Sequence, residues 1–202
     1  MRKTSFWFVA LNSVSLGVAA LAAMAGGAQA ATLYSTGPTV AMETPGSMSG
    51  SFGALSGAGT LSLQLQGYAT LDGDNTWIDI LHITLNGSEV FAGTFDLGGG
   101  GIDRVLVNPG AGSVVKDFAA RTLDLVLPVT LLSGSNSLTI AYDSPTLFEG
   151  VARAGFQGLV DEGWGTNRGT VTGAVPEPTS VAMLLAGLGL IGVAGLARRR
   201  PG

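Results

Sequence analysis

An uncharged segment near the end of the chain limits where a folded domain can lie. Residues 179–197 are 19 positions without Asp, Glu, Lys, Arg or His, and Arg198, Arg199 and Arg200 follow directly. This length is close to the ~20 residues that a helix needs to cross a bilayer. Because positive residues stay on the cytoplasmic side of a membrane, we expect a transmembrane helix in the inner membrane with its C-terminal end inside the cell.

The first 30 residues predict a signal peptide. Positive residues at positions 2 and 3 precede a mostly apolar stretch that extends to residue 25. Ala28, Gln29 and Ala30 then form an A-x-A sequence, in which small side chains occupy the positions that signal peptidase recognises. We expect export through the Sec translocon and cleavage after Ala30, which places the middle of the chain outside the cytoplasmic membrane.

A short proline motif precedes the uncharged segment. Val175, Pro176, Glu177 and Pro178 are followed by the apolar stretch and then by the arginine cluster, and this order resembles the PEP-CTERM sorting signal. The resemblance covers residues 175–202. It implies that Pro176, Glu177 and Pro178 are recognised by the membrane enzyme exosortase. It also implies a Gram-negative host with an exopolysaccharide matrix, and transfer of the protein from the inner membrane to the cell surface or matrix. The alternative is a plain single-pass anchor.

These two ends leave residues 31–174 to fold as one domain. Residues 31–178 contain all 14 Asp and Glu but only five of the ten Lys and Arg, a net charge of 5 − 14 = −9. Phosphate contacts need clustered Lys and Arg, so nucleic acid is not expected as a partner. The chain has no cysteine, and its single histidine, His82, excludes centres that need several histidines.

Alternation of apolar and polar residues predicts an all-β fold. Leu61–Gln66 alternates strictly, and Asn86-Gly87, which is typical of a type I′ turn, joins the runs 77–85 and 89–91. Residues 47–59 predict a weak strand with loops. We expect a single β-sandwich with a jelly-roll-like arrangement of two sheets. Further strands are expected at 105–107, 122–129, 137–142, 152–157 and 169–172.

Two acidic clusters are candidates for a calcium site. Calcium accepts about six to eight oxygen ligands in flexible geometry, and the loop at residues 71–79 holds three carboxylates and an amide. A second cluster precedes the last expected strand, and the two could share a cation if they meet at one edge of the sandwich. The alternative is two independent solvated turns. The carboxylates concerned are Asp72, Asp74, Asp79, Asp161 and Glu162.

The sequence leaves three functions open. Trp77 and Trp164 are candidates for a sugar-stacking platform, although burial in the core is the more common place for so large a side chain. Turn aspartates do not predict the two carboxylates facing each other across a cleft that glycoside hydrolysis needs, so we expect no enzyme. The favoured hypothesis is a non-catalytic surface or matrix protein that binds carbohydrate or another matrix component, with or without calcium. The alternatives are a purely structural surface protein without a small ligand and a small polysaccharide-acting hydrolase.

Overall fold

The computed structural model of the chain describes residues 29–154 and 162–175. These residues form strands and no helix, and none of the described chain offers a helix long and apolar enough to cross a membrane. The stretch from Ala30 to Val175 is a compact unit. The predicted transmembrane helix and all of the predicted signal peptide before residue 29 lie outside the described residues.

In chain order the strands are β1 (Gln29–Thr36), β2 (Met42–Glu43), β3 (Gly46–Ala54), β4 (Gly57–Ala69), β5 (Ile80–Leu85), β6 (Ser88–Thr94), β7 (Arg104–Val107), β8 (Ser113–Asp117), β9 (Thr122–Leu131), β10 (Gly134–Asp143), β11 (Leu147–Phe148), β12 (Val151–Ala152) and β13 (Glu162–Val175).

Two antiparallel sheets form a sandwich-like body. Sheet 1 has six strands in the order β1-β13-β4-β9-β8, with β2 also paired to β13. Sheet 2 has five strands in the order β3-β10-β5-β6-β7, and β11 and β12 form a small separate hairpin. The expected all-β class is therefore confirmed.

The alternation in β4 and β9 explains how the two sheets pack. Because successive side chains of a strand point to opposite faces, every second residue in the central part of each strand is a leucine that lies in the core between the sheets. The leucines are Leu61, Leu63, Leu65, Leu123, Leu125 and Leu127. They meet Ile83, Phe91 and Ile140 of sheet 2 in the same core. Burying a side chain of this size stabilises the fold by about 1.5–3 kcal/mol.

The Asn-Gly turn forms as predicted. Asn86 and Gly87 have φ angles of 55° and 77°, the left-handed conformation that a type I′ turn requires. The side chain of Asn86 accepts a hydrogen bond from the backbone N–H of Ser137 (2.9 Å) and donates one to Asn136 Oδ1 (2.8 Å). The turn between β5 and β6 is thereby tied to the neighbouring strand β10.

Three expected strand boundaries are wrong. The strand expected from residue 77 begins at Ile80, because the residues before it form a hydrogen-bonded turn. Residues 47–59 belong to two long strands, β3 and β4, instead of one weak strand. At 152–157 the structure has only the two-residue strand β12, and residues 155–157 lie outside the described part.

Candidate functional site

The acidic turn before β5 is held closed by its own aspartates. Asp79 is only 1% exposed, and its two carboxylate oxygens accept hydrogen bonds from the backbone N–H of Asp72 (2.8 Å) and from Ser144 Oγ (2.6 Å). Burial raises the pKa of Asp79 to about 6, against the opposing effect of these two hydrogen bonds. Both carboxylate oxygens of Asp79 are thus used in hydrogen bonds that hold the turn in place.

Asp72 is also enclosed. Its carboxylate accepts a hydrogen bond from Asn75 Nδ2 (2.9 Å), and burial raises its pKa. Gly99 packs so closely on this carboxylate that a Cβ at position 99 would lie 2.5 Å from Asp72 Cγ. A side chain at position 99 would therefore push Asp72 out of place.

Asp74 is neutralised by two arginines. Its oxygens lie 2.6 Å from Arg104 Nη1 and 2.7 Å from Arg153 Nη2, and both guanidinium groups lie over the ring of Phe148. Arg104 also donates two hydrogen bonds to Glu149, which lowers the pKa of that carboxyl. The charge of Asp74 is balanced within the protein, and the contacts tie the β11–β12 hairpin to the acidic turn.

The structure does not bring the predicted calcium ligands together in the part it describes. Within residues 29–154 and 162–175, no group of three or more acidic or histidine side chains is placed to hold a metal ion. Asp161 and the side chain of Glu162 lie outside the described residues, so the shared site stays a prediction.

The two candidate tryptophans have different environments. Trp164 is fully buried, packs on Tyr142 with ring centroids 5.3 Å apart, and donates a hydrogen bond from Nε1 to the Glu43 carbonyl (3.2 Å). Trp77 is 42% exposed. Because Trp164 belongs to the core, the two do not form one stacking platform.

The outward face of sheet 1 carries a set of polar side chains that the sequence did not single out. Along β4, residues of the outward face alternate with the buried leucines, and the strand pairs with β9 on one side and β13 on the other. Gln64 faces Asp124 of β9 and Arg168 of β13 in this register. We call the following residues the polar ladder: Gln64, Gln66, Asp124, Asn167 and Arg168.

Hydrogen bonds join the members of the polar ladder. Gln64 Nε2 donates to both carboxylate oxygens of Asp124 (3.0 Å each), and Arg168 Nη2 donates to Asp124 Oδ1 (3.0 Å). A β-bulge between Thr166 and Arg168 inserts Asn167, whose Nδ2 lies 3.3 Å from Gln64 Oε1 and 3.2 Å from Gln66 Oε1. A bulge re-aims a side chain, and here it places a third amide between the two glutamines.

The end of the ladder nearest Gln66 is fixed by the backbone. Gln66 Nε2 donates to the carbonyls of Ala120 (3.0 Å) and Gly67 (3.1 Å). The ladder is thus a row of amide, carboxylate and guanidinium groups whose positions are set by one another and by the sheet. The amide N–H groups of Gln64, Gln66 and Asn167 donate within the protein, so the row offers a ligand the amide oxygens as acceptors and the other N–H groups of Arg168 as donors.

Tyr68 continues the row at this end. It is the next outward-facing residue of β4 after Gln66, is 36% exposed, and pairs with Gly163 of β13. Its ring leans across β13, so that a Cβ at Gly165 would lie 3.0 Å from Tyr68 Cε2. Glycine at position 165 leaves the space that the ring occupies.

A shallow depression lies beside the other end of the ladder. Its volume is about 280 Å³, and Ser62, Asp124, Arg168 and Thr170 contribute to its lining. Polar ladder, depression and Tyr68 together form a continuous outward strip along β4.

Residues 174–200 match the PEP-CTERM protein-sorting motif. The chain carries a PEP-CTERM sorting motif. This confirms the resemblance found at Val175–Pro178 and the arginine cluster, and it implies that the protein is exported and anchored for sorting to the cell surface. The motif begins at the end of β13, and Pro176 and the residues after it lie outside the described part.

Comparisons of the whole chain with known proteins do not identify a ligand. No curated protein matches this chain significantly. Its fold is similar to a solved structure described as a family 35 carbohydrate binding module from an environmental isolate, with 11% sequence identity and a TM-score of 0.32. The match covers 67% of this chain and 74% of that one.

Proposed function

We propose that this chain is a non-catalytic surface or matrix protein, sorted by exosortase, whose sandwich binds carbohydrate through the outward face of sheet 1. The observation that carries the proposal is the polar ladder, since Gln64, Gln66 and Asn167 present amides in one hydrogen-bonded row. Sugar hydroxyls can donate hydrogen bonds to the amide oxygens of the ladder and accept them from the N–H groups of Arg168 that do not bind Asp124. The sorting motif supports a location at the cell surface or in the extracellular matrix, where polysaccharides are available as ligands.

Preorganisation strengthens the case for binding at this face. Ordering a flexible polar side chain on binding costs about 0.5–1.5 kcal/mol. The amides of Gln64 and Asn167 are already held by Asp124 and by each other. Less binding free energy is therefore lost to the ordering of these side chains than on a surface where the side chains are mobile before the ligand binds.

The positions of the acids support a non-catalytic protein. Glycoside hydrolysis uses two carboxyl groups that flank the scissile bond across a cleft. Asp72 and Asp79 are a close pair of carboxylates, but both are buried and hydrogen-bonded to the turn. On the ladder, Asp124 is paired with Arg168. A small hydrolase is therefore the weaker alternative.

Binding of the full chain to the exopolysaccharide of its host tests the proposal. We expect the double variant Gln64→Ala/Asn167→Ala, purified in detergent micelles, to bind at least about tenfold more weakly than the wild type, because it loses two hydrogen-bonding groups of the ladder. Affinity electrophoresis measures the difference. The matched control is Glu89→Gln, a polar change at a part-exposed position on sheet 2.

Two results would contradict the proposal. One is a wild-type chain that binds no carbohydrate from the host matrix, which would favour the purely structural alternative. The other is equal binding by the wild type and the double variant at unchanged thermal stability, which would remove the ladder as the site.

Calcium is a separate part of the proposal and concerns the acidic turn. If Asp72, Asp74, Asp79, Asp161 and Glu162 share a cation, calcium raises the melting temperature of the full chain by mass action. The Asp161→Asn variant should then lose most of this increase. An unchanged melting temperature at millimolar calcium would exclude the site.

A further inference from the structure

The charge of the outward strip limits the kind of carbohydrate it can take. Arg168 is the one cation of the polar ladder, and its guanidinium donates to Asp124, the one carboxylate there. Residues 31–178 together carry a net charge of 5 − 14 = −9. An anionic polysaccharide would therefore approach a negative domain, and within the polar ladder the positive charge of Arg168 is balanced by the carboxylate of Asp124.

The stacking surface lies at one end of the strip. Tyr68 presents a partly exposed ring beside Gln66, and Gly165 provides the space beneath it. An aromatic ring of this kind offers an apolar face with a polar tip. The apolar C–H face of a pyranose ring packs on such a surface while its hydroxyls remain available to Gln66 and Asn167.

The strip is long enough for a chain of sugars. Ser62 and Tyr68 lie six residues apart on β4, about 20 Å at ~3.3 Å per residue. The depression lined by Ser62 and Thr170 lies at the far end from Tyr68. An extended polysaccharide can therefore contact Tyr68, the amides and the depression at the same time.

From these observations we infer that the ligand is a neutral, hydroxyl-rich polysaccharide that lies along β4 with one sugar ring stacked on Tyr68. The inference rests on the proposed function and adds to it the class of ligand and the stacking residue. Uronate, sulfate and phosphate groups are disfavoured on the strip, because Asp124 balances the charge of Arg168 and the domain around it is negative.

The test uses neutral and acidic fractions of the host exopolysaccharide, separated by anion exchange, with the full chain in detergent micelles. We expect the neutral fraction to bind with little dependence on salt, because no ion pair forms with the ligand. Tyr68→Ala should weaken this binding at least about tenfold, whereas Tyr68→Phe, which keeps the ring, should stay within about threefold of the wild type. Dextran and dextran sulfate serve as a pair that differs in charge.

The outcomes separate the inference from the proposed function. Binding of the acidic fraction alone, weakened by Gln64→Ala/Asn167→Ala, would leave the ladder as the site and overturn the neutral ligand. Binding of neither fraction would overturn both. Binding of the neutral fraction that Tyr68→Ala leaves unchanged, at an unchanged melting temperature, would overturn the stacking role of Tyr68.

Discussion

Asp79 shows how a single buried carboxylate shapes the region before β5. Its oxygens bind the backbone of Asp72 and the hydroxyl of Ser144, so the side chain closes the turn that the sequence predicts as a metal loop. Burial of a charge is unfavourable even when it is hydrogen-bonded. The raised pKa of Asp79, about 6, expresses this cost.

The pKa of Asp79 predicts how stability depends on pH. The folded-state pKa of about 6 lies above the ordinary aspartate pKa of 3.8, so the folded protein binds the proton more tightly than the unfolded chain does. Stability therefore falls as the pH rises from about 4 to 6, and the loss is complete above pH 6, by about 3 kcal/mol for this difference in pKa. Asp79→Asn should flatten the pH dependence measured by urea unfolding between pH 4 and 7.

Asp143→Asn is the control for this experiment, since Asp143 is exposed at the end of β10. It should keep most of the slope of the wild type. If Asp79→Asn retains the full slope, the carboxyl of Asp79 does not titrate as described.

At the scale of elements, the β11–β12 hairpin depends on the ion pairs of Asp74. Arg104 and Arg153 both contact Asp74, and Arg153 also donates to the carbonyl of Asn75. Removing Asp74 leaves two guanidinium groups without this partner in a partly buried place. We expect Asp74→Ala to lower the free energy of unfolding by about 1–3 kcal/mol, less than for a fully buried pair because solvent screens the site.

Urea unfolding measures this effect, with Glu89→Ala as the comparison. Glu89 pairs with His82 on a more exposed surface, and its loss should change stability by no more than about 0.5 kcal/mol. Equal effects of the two variants would show that the arginine cluster adds no more stability than an ordinary surface pair.

Local signals in the sequence predict individual strands and turns, whereas the polar ladder can be recognised only once the pairing of the strands is known. The Asn86-Gly87 turn and the alternation of Leu61–Gln66 depend on neighbouring residues, and both predictions are confirmed. The contact of Gln64 with Asp124 spans 60 residues, and that of Gln64 with Asn167 spans 103. Such pairings depend on the register between strands, which alternation alone does not specify.

For the chain as a whole, the sorting motif directly follows the compact unit that carries the proposed binding face. The compact unit extends from Ala30 to Val175, and the Pro-Glu-Pro sequence starts at the next residue. Replacing Pro176, Glu177 and Pro178 by alanine should stop sorting and leave the protein in the inner membrane, because exosortase would no longer recognise the motif.

Cell fractionation followed by immunoblotting measures this redistribution, and the Tyr68→Ala variant is the control, since its change lies in the sandwich. Both proteins should be made in equal amounts, but only the motif variant should be missing from the surface and matrix fractions. An unchanged distribution of the motif variant would support a plain membrane anchor.

The central claim is that the outward face of sheet 1 binds carbohydrate, and nuclear magnetic resonance of the isotopically labelled full chain tests it most directly. The side-chain amide signals of Gln64, Gln66 and Asn167 can be followed individually while the neutral host polysaccharide is added. We predict that these signals shift, while that of Asn108, whose amide binds the Gly112 carbonyl, stays in place. Unmoved ladder amides together with a shift of the Trp77 indole signal would contradict the claim and place the ligand at the acidic turn.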